Sequence, residues 1–242
     1  MNQVTTTHEN LPSTYTHTAW GTEGVDTKDV LIPRLLLQQA MSKGVSSGTT
    51  SVGQVISSTS GLVVGSKEKP CKIVPISTYK TLIRREKAAS ETKFNFVSQV
   101  PVTVQNANFP WEGVENGVAV RNEYVLNFYV FLDTELDSED GLPHLLSFSR
   151  TNYKAGKKLI THFKKSQMLG VPPASKTFFL VSGLETNDLG TYAVYDIQEA
   201  GATTKENICK LYDWYKVLKT SEVKVDVVEE ETQEASQEEA PF

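Results

Sequence analysis

Within residues 118–131 the apolar side chains fall on every second position, with Tyr124, Leu126, Phe128 and Val130 sharing one side. A period of two is the repeat of a pleated strand, whose successive side chains point to opposite faces. A second long run, residues 72–85, puts Val74, Ile76 and Leu82 on one face and Ile73, Tyr79 and Ile83 on the other. Shorter β-rich runs occupy residues 54–57, 62–64, 93–97 and 145–150. Residues 176–182 and 191–197 read as a pair across the polar turn 185–190. Residues 29–39 contain Pro33, which argues against a helix interior and favours an extended segment at a sheet edge. The body is expected to be mainly β.

Two helices interrupt the strands. Residues 153–169 place Ala155, Leu159, Ile160 and Phe163 on one arc, with Lys154, Lys157, Lys158, Lys164 and Lys165 opposite. Thr151 or Asn152 is available as N-cap, and Gly170 stops the helix before Pro172 and Pro173. A second helix is expected from Thr203, with Glu206 at capping-box spacing and a stripe of Ile208, Leu211, Tyr212, Tyr215 and Leu218. Many short strands, a terminal helix and a basic, aromatic surface suit an elaborated barrel of the OB type. Three segments follow: a disordered arm over 1–28, an OB-like domain over 29–220, and a flexible acidic tail over 221–242.

Charge is unevenly placed. The chain carries 24 Lys and Arg against 29 Asp and Glu, a net charge of −5. Six of the acids are Glu229, Glu230, Glu231, Glu234, Glu238 and Glu239 near the C-terminus; without them the body is close to neutral. A segment that acidic cannot bury enough apolar surface to offset its ordering entropy. From Gly141 to Leu184 there is no acid, while Arg150, Lys154, Lys157, Lys158, Lys164, Lys165 and Lys176 are present. A second basic run holds Lys72, Lys80, Arg84, Arg85, Lys87 and Lys93 against Glu86 and Glu91. Local fields decide polyanion binding more than net charge does, so an acidic whole-chain balance does not exclude nucleic acid.

Aromatic rings lie among these charges: Tyr79 beside Lys80, Phe94 and Phe96 after Lys93, Trp111, and Phe148 and Arg150 leading into Tyr153 and Lys154. Single strands are bound by a cationic groove that follows phosphates and by rings on which bases stack. The expected single-stranded DNA site is therefore Tyr79, Lys80, Arg84, Arg85, Lys87, Phe94, Phe96, Trp111, Phe148, Arg150, Tyr153, Lys154, Lys157 and Lys158. Phe94 and Phe96, two apart, equally suit the core face of a strand. The lysine helix equally suits a solvated face.

The C-terminal residues Glu238, Glu239, Ala240, Pro241 and Phe242 resemble the tip of bacterial single-stranded DNA-binding proteins, which end in acidic residues followed by Pro-Phe. An OB-like body with such a tail is similar to replication proteins of tailed phages, and residues 30–38 look like a segment of phage proteins of comparable size. The resemblance implies that Glu238, Glu239, Pro241 and Phe242 recruit replication or recombination enzymes, and that the tail competes with DNA for the groove. Ala240 stands where the bacterial pattern more often has an aliphatic residue.

No enzyme is expected. Gly156-Lys157 lacks the upstream glycine of a phosphate-binding loop, and Lys158 stands where Ser or Thr is required. His144 and His162 are isolated, and the run Asp133, Glu135, Asp137, Glu139, Asp140 reads as a solvated loop and not a two-metal site, so neither metal nor cofactor is expected. No apolar run is long enough to span a membrane, and the first twenty residues lack signal-peptide order. Cys71 and Cys209 suit buried free thiols in a cytoplasmic protein, that of the host for a phage protein. The sequence thus points to a sequence-independent single-stranded DNA-binding protein of phage replication, recombination or repair. The alternatives are a strand-annealing recombinase or a phage interaction or structural protein that binds no DNA; homo-oligomers fit all three. Deleting residues 229–242 is expected to tighten DNA binding, most at low salt where screening is weakest. Unchanged or weaker binding in an anisotropy titration would contradict tail competition.

Overall fold

In a computed structural model, the structure describes residues 31–220 apart from 89, 139, 140 and 189. The expected arm, and the tail with Glu238, Glu239, Pro241 and Phe242, lie outside the described residues. Ten strands form one sheet: β1 (Arg34–Leu37), β2 (Val55–Ser57), β3 (Val63–Gly65), β4 (Cys71–Lys87), β5 (Asn95–Pro101), β6 (Glu112–Glu115), β7 (Val118–Leu132), β8 (His144–Phe148), β9 (Lys176–Asn187) and β10 (Gly190–Ala202). Their order is β10-β9-β4-β7-β8-β1-β2-β3, with β5 added to β4 and β6 added to β7. Three α-helices accompany them: the one-turn α1 (Lys43–Ser46), α2 (Tyr153–Leu169) and α3 (Lys205–Thr220). The protein is mainly β, and its sheet curls into a half-barrel with more strands than a simple OB barrel.

The spine is the antiparallel pair β4 and β7, in register from Ile73 opposite Leu132 to Lys87 opposite Ala119. Both strands change partners along their length. Near Cys71, β4 pairs with β9, and from Thr81 to Glu86 it pairs with β5. Likewise, β7 pairs with β8 over Leu126–Val130 and with β6 over Val118–Arg121. One half of the spine lies in the body, and the other half is the centre of a four-stranded blade, β5-β4-β7-β6.

The side-chain alternation of β7 holds throughout. That of β4 does not, because a bulge between Pro75 and Ser77 inserts Ile76. An extra residue resets the alternation. Leu82 therefore lies opposite Tyr124 on one face, while Tyr79 and Ile83 share the other face with Val74 and Ile76, correcting the grouping expected from strict alternation.

Each face is covered by one helix. Leu126, Phe128 and Val130 pack with Leu35, Leu146, Phe148, Leu180 and Leu159 of α2. Close approach is possible because Gly156 of α2 has no side chain: a Cβ there would stand 2.9 Å from Phe148 Cβ. On the other face Val74, Ile76, Tyr129 and Phe131 pack with Leu211 and Leu218 of α3. Trp214, outside the expected stripe, packs on Phe131 at 5.9 Å between ring centroids, while Tyr212 is exposed. Thr204 Oγ1 accepts from the Asn207 N–H at 3.3 Å, so the cap of α3 falls one residue after Thr203. Gly170 ends α2 in the left-handed region, as expected. Cys71 is buried, its thiol pushed up to about 11 by desolvation, but Cys209 is exposed, contrary to expectation.

Polar side chains hold the curl closed. Gln39, just past β1, donates from Nε2 to the Ala193 carbonyl at 3.0 Å and accepts the Ala193 N–H at 2.9 Å. It thereby supplies β10 with both bonds of a missing strand partner. Asn152 Oδ1 accepts the Tyr195 N–H at 2.7 Å, so this side chain caps a strand edge and makes no capping bond to α2. β1 is not an edge: it pairs with β2 antiparallel and with β8 in parallel, while Pro33 precedes it and accepts from Leu145 N–H. Gln39→Ala leaves both Ala193 backbone groups unserved and should cost about 1–3 kcal/mol. Urea unfolding checks this; an unchanged midpoint would contradict closure by Gln39.

Candidate nucleic-acid interface

On the blade, direct cross-strand partners share a face. Arg85 lies opposite Phe96 on one side and Arg121 on the other, so Phe96, Arg85 and Arg121 form a row across β5, β4 and β7. Lys87 continues the same face two residues on. The Phe94 ring lies 4.1 Å from the Arg121 guanidinium carbon and 5.3 Å from Lys87 Nζ, within cation–π range. Trp111, 46 % exposed, has its ring 5.8 Å from Arg121. Glu112 holds Arg121 in place, accepting from its Nε at 3.0 Å. The blade thus carries rings and cations in contact on an accessible face.

A polar node joins this face to the body. Gln99 Nε2 and Asn127 Nδ2 each donate to Thr81 Oγ1 at 3.0 Å, and Ser147 Oγ donates to Asn127 Oδ1 at 2.7 Å. One side chain from each of β5, β4, β7 and β8 takes part, fixing register where the spine changes partners.

Beside the node opens a cavity of about 500 Å³. Both β1 and β8 line it, and they pair at two positions, Arg34 with Leu145 and Leu35 with Leu146. The start of β10 forms another wall. Arg34, Arg85, Glu123 and Arg150 line it. Glu123 is 2 % exposed and accepts from Arg150 Nε at 3.0 Å, the pairing a buried carboxylate requires. Arg150 has φ 46°, a left-handed conformation uncommon outside glycine. From Arg150 the chain enters α2, where Lys157 Nζ lies 5.4 Å over the half-buried Tyr153 ring. Burial raises the Tyr153 hydroxyl pKa, with Lys157 acting against it. Lys154 and Lys157 are exposed, and Lys158 is paired with Asp196.

The expected residues divide accordingly. Arg85, Lys87, Phe94 and Phe96 share the blade face, with Trp111 beside Arg121; Arg150 shares the cavity with Arg85 and leads to Tyr153, Lys154 and Lys157. Lys80 and Arg84 are on the opposite face. Lys80 Nζ lies 4.1 Å over Tyr124, and Arg84 is held by Glu86 and Glu115 at 2.8 Å, which raises its pKa. That face is also roofed by the loop before β6, since Tyr124 donates its hydroxyl to Asn106 O at 2.6 Å and Asn122 donates to Pro110 O. Tyr79 packs on Tyr129 at 5.6 Å, its hydroxyl pKa driven far upward by burial. Phe148 has no exposed surface and meets Phe128 and Tyr195 edge-on, so it is a core ring unable to stack on a base. Arg34, Arg121 and Glu123 were not singled out in the sequence. Arg121 and Glu123 interrupt the apolar β7 at alternate positions, a signal that was there to read.

Among the described residues, no three His, Cys, Asp or Glu gather to hold a metal, and no helix is long and apolar enough to cross a membrane. Asp133, in the acidic run, pairs with Lys72 at 3.6 Å. Over residues 5–224 the sequence matches the family described as Pam3 phage gp34-like protein, and the chain belongs to that phage family. No curated protein matches it. No solved structure matches it either. The contrast between surface and core rings is directly measurable. Phe94→Ala and Trp111→Ala should change stability by less than about 1 kcal/mol, whereas Phe148→Ala should cost about 3–5 kcal/mol. Comparable losses for all three in denaturant unfolding would contradict this division.

Proposed function

We propose that this chain is a non-enzymatic protein that binds single-stranded DNA without sequence preference, in phage replication, recombination or repair. The observation that carries the reading is Phe94 held between Arg121 and Lys87 on an open sheet face, with Phe96 and Trp111 beside it. Stacking on rings serves any base, and guanidinium and ammonium groups serve the phosphates. A strand would lie across the blade over Phe94, Phe96 and Trp111 and continue past Arg85 and Arg150 towards Tyr153, Lys154 and Lys157. The acidic C-terminal segment would compete for the same cations, and Pro241 and Phe242 would contact a replication or recombination enzyme. Membership of a phage family supports this setting.

Anisotropy titrations with labelled oligonucleotides of unrelated sequence test the reading. Affinity should fall steeply with salt as counterions are released. Trp111→Ala should weaken binding by roughly 5- to 100-fold, the effect of about 1–3 kcal/mol of base stacking, and Arg121→Ala should weaken it and flatten the salt slope. Lys80→Ala and Arg84→Ala should have little effect. Absence of binding, or losses confined to Lys80→Ala and Arg84→Ala, would overturn the assignment.

A further inference from the structure

We infer that the apolar groove between α3 and the loop after β7 is the docking site of this chain's own N-terminal segment, with the Trp20 ring as its anchor. The inference does not depend on strand binding. The groove, of about 670 Å³, has Leu31, Ile32, Phe131, Leu142, Trp214 and Leu218 in its walls. Phe131 and Arg121 are ten residues apart on β7, roughly 33 Å at the rise of a strand, so the groove is remote from the blade. Leu31 is 58 % exposed and Leu142 40 % exposed. Apolar walls left open to water in a concave site gain by receiving another apolar group.

Chain path, length and charge choose the occupant. The Leu145 N–H donates to the Pro33 carbonyl at 2.8 Å and fixes the chain just after Leu31 and Ile32, so residues 1–30 join the body at the groove wall. A ring tethered there is held at high local concentration, and modest apolar contact suffices to seat it. Trp20 stands eleven residues before Leu31, a stretch that reaches up to roughly 36 Å and can turn back over the groove. Between Glu9 and Glu23 there is no Asp, Glu, Lys or Arg, and Leu11, Tyr15 and Trp20 fall in this run. Glu135 and Asp137 in the lining offer acceptors for an indole N–H, which a buried Trp requires. The same carboxylates oppose the C-terminal segment, whose Glu229, Glu230, Glu231, Glu234, Glu238 and Glu239 carry like charge. Lys210, the one cation among the described lining residues, donates to the Leu136 carbonyl at 3.5 Å. The family match over residues 5–224 takes in the Trp20 segment and stops before Glu229.

Photocrosslinking of the full chain with benzoylphenylalanine in place of Trp20, followed by peptide mapping, tests the docking. Crosslinks should fall on Leu142 and on Trp214 or Leu218 of α3. In an equal mixture of isotopically heavy and light chains, they should join peptides of the same isotope. Heavy-to-light crosslinks would assign the groove to a second copy's segment and overturn the proposal. Crosslinks only outside the groove overturn it too, as does capture of the groove by the same photoprobe at Phe242 and not at Trp20. A second measurement needs no photoprobe: urea unfolding of Trp20→Ala, Leu142→Asp and the double variant. Both positions lie outside the buried core or before the described body, so these chains should fold. Their effects on the unfolding equilibrium constant should be non-additive by at least about threefold, because the double variant loses one shared contact only once. Trp20→Phe, which keeps an apolar ring, should lose less than Trp20→Ala. Strict additivity of Trp20→Ala and Leu142→Asp overturns the docking.

Discussion

The antiparallel pairing of β4 with β7 is the constraint on which the rest of the molecule depends. It is long enough to serve two structures in succession, and the hydrogen-bonded node of Gln99, Thr81, Asn127 and Ser147 fixes register where one gives way to the other. In the body, alternate residues of the pair feed two separate cores, one beneath α2 and one beneath α3. In the blade the same alternation presents Arg85, Lys87 and Arg121 on one side and Lys80, Arg84 and Tyr124 on the other. A one-residue slip would exchange both sets, so fold and surface chemistry are specified by the same register.

The electrostatics follow from that geometry. On one of the two cationic faces Arg84 is held by two carboxylates and Lys80 covers a tyrosine ring. On the other, cations meet rings, and Glu123 is drawn inside to stand among arginines. The buried carboxylate of Glu123 holds the Arg150 guanidinium at 3.0 Å. The face that carries Arg85, Lys87 and Arg121 also carries Phe94, Phe96 and Trp111, and this coincidence supports the proposed reading.

Much of the fold was legible because its strongest signals are local. The alternation of β7, the hairpin of β9 and β10, and the Gly170 stop of α2 each follow from spacing or backbone preference. What escaped was non-local. The bulge at Ile76 is marked only by the neighbouring Pro75, yet it moves Tyr79 and Ile83 to the face of Val74 and sends Leu82 to the other. Asn152 looks like a helix cap and serves a strand edge, because an unpaired N–H on Tyr195 lies within its reach. Gln39 closes the sheet through contacts 154 residues apart, beyond any window of periodicity. Phe148 lies two residues from Arg150, a spacing that alternation would put on one face, but the strand ends at Phe148 and Arg150, at φ 46°, opens a turn that brings it to the cavity while the ring stays in the core. Lys80 and Arg84 share a charge run with Arg85 and Lys87; in a strand, such a run is divided between two faces.

The central claim is that single strands lie on the blade face bearing Phe94, Phe96, Trp111 and Arg121. Photocrosslinking the full chain to oligonucleotides carrying iododeoxyuridine, followed by peptide mapping, examines that claim most directly. The account predicts crosslinks on Phe94, Phe96 or Trp111, extending to Tyr153 with longer strands. Crosslinks confined to Tyr124 and the loop at 102–109, or to the outward surface of α3, would contradict it.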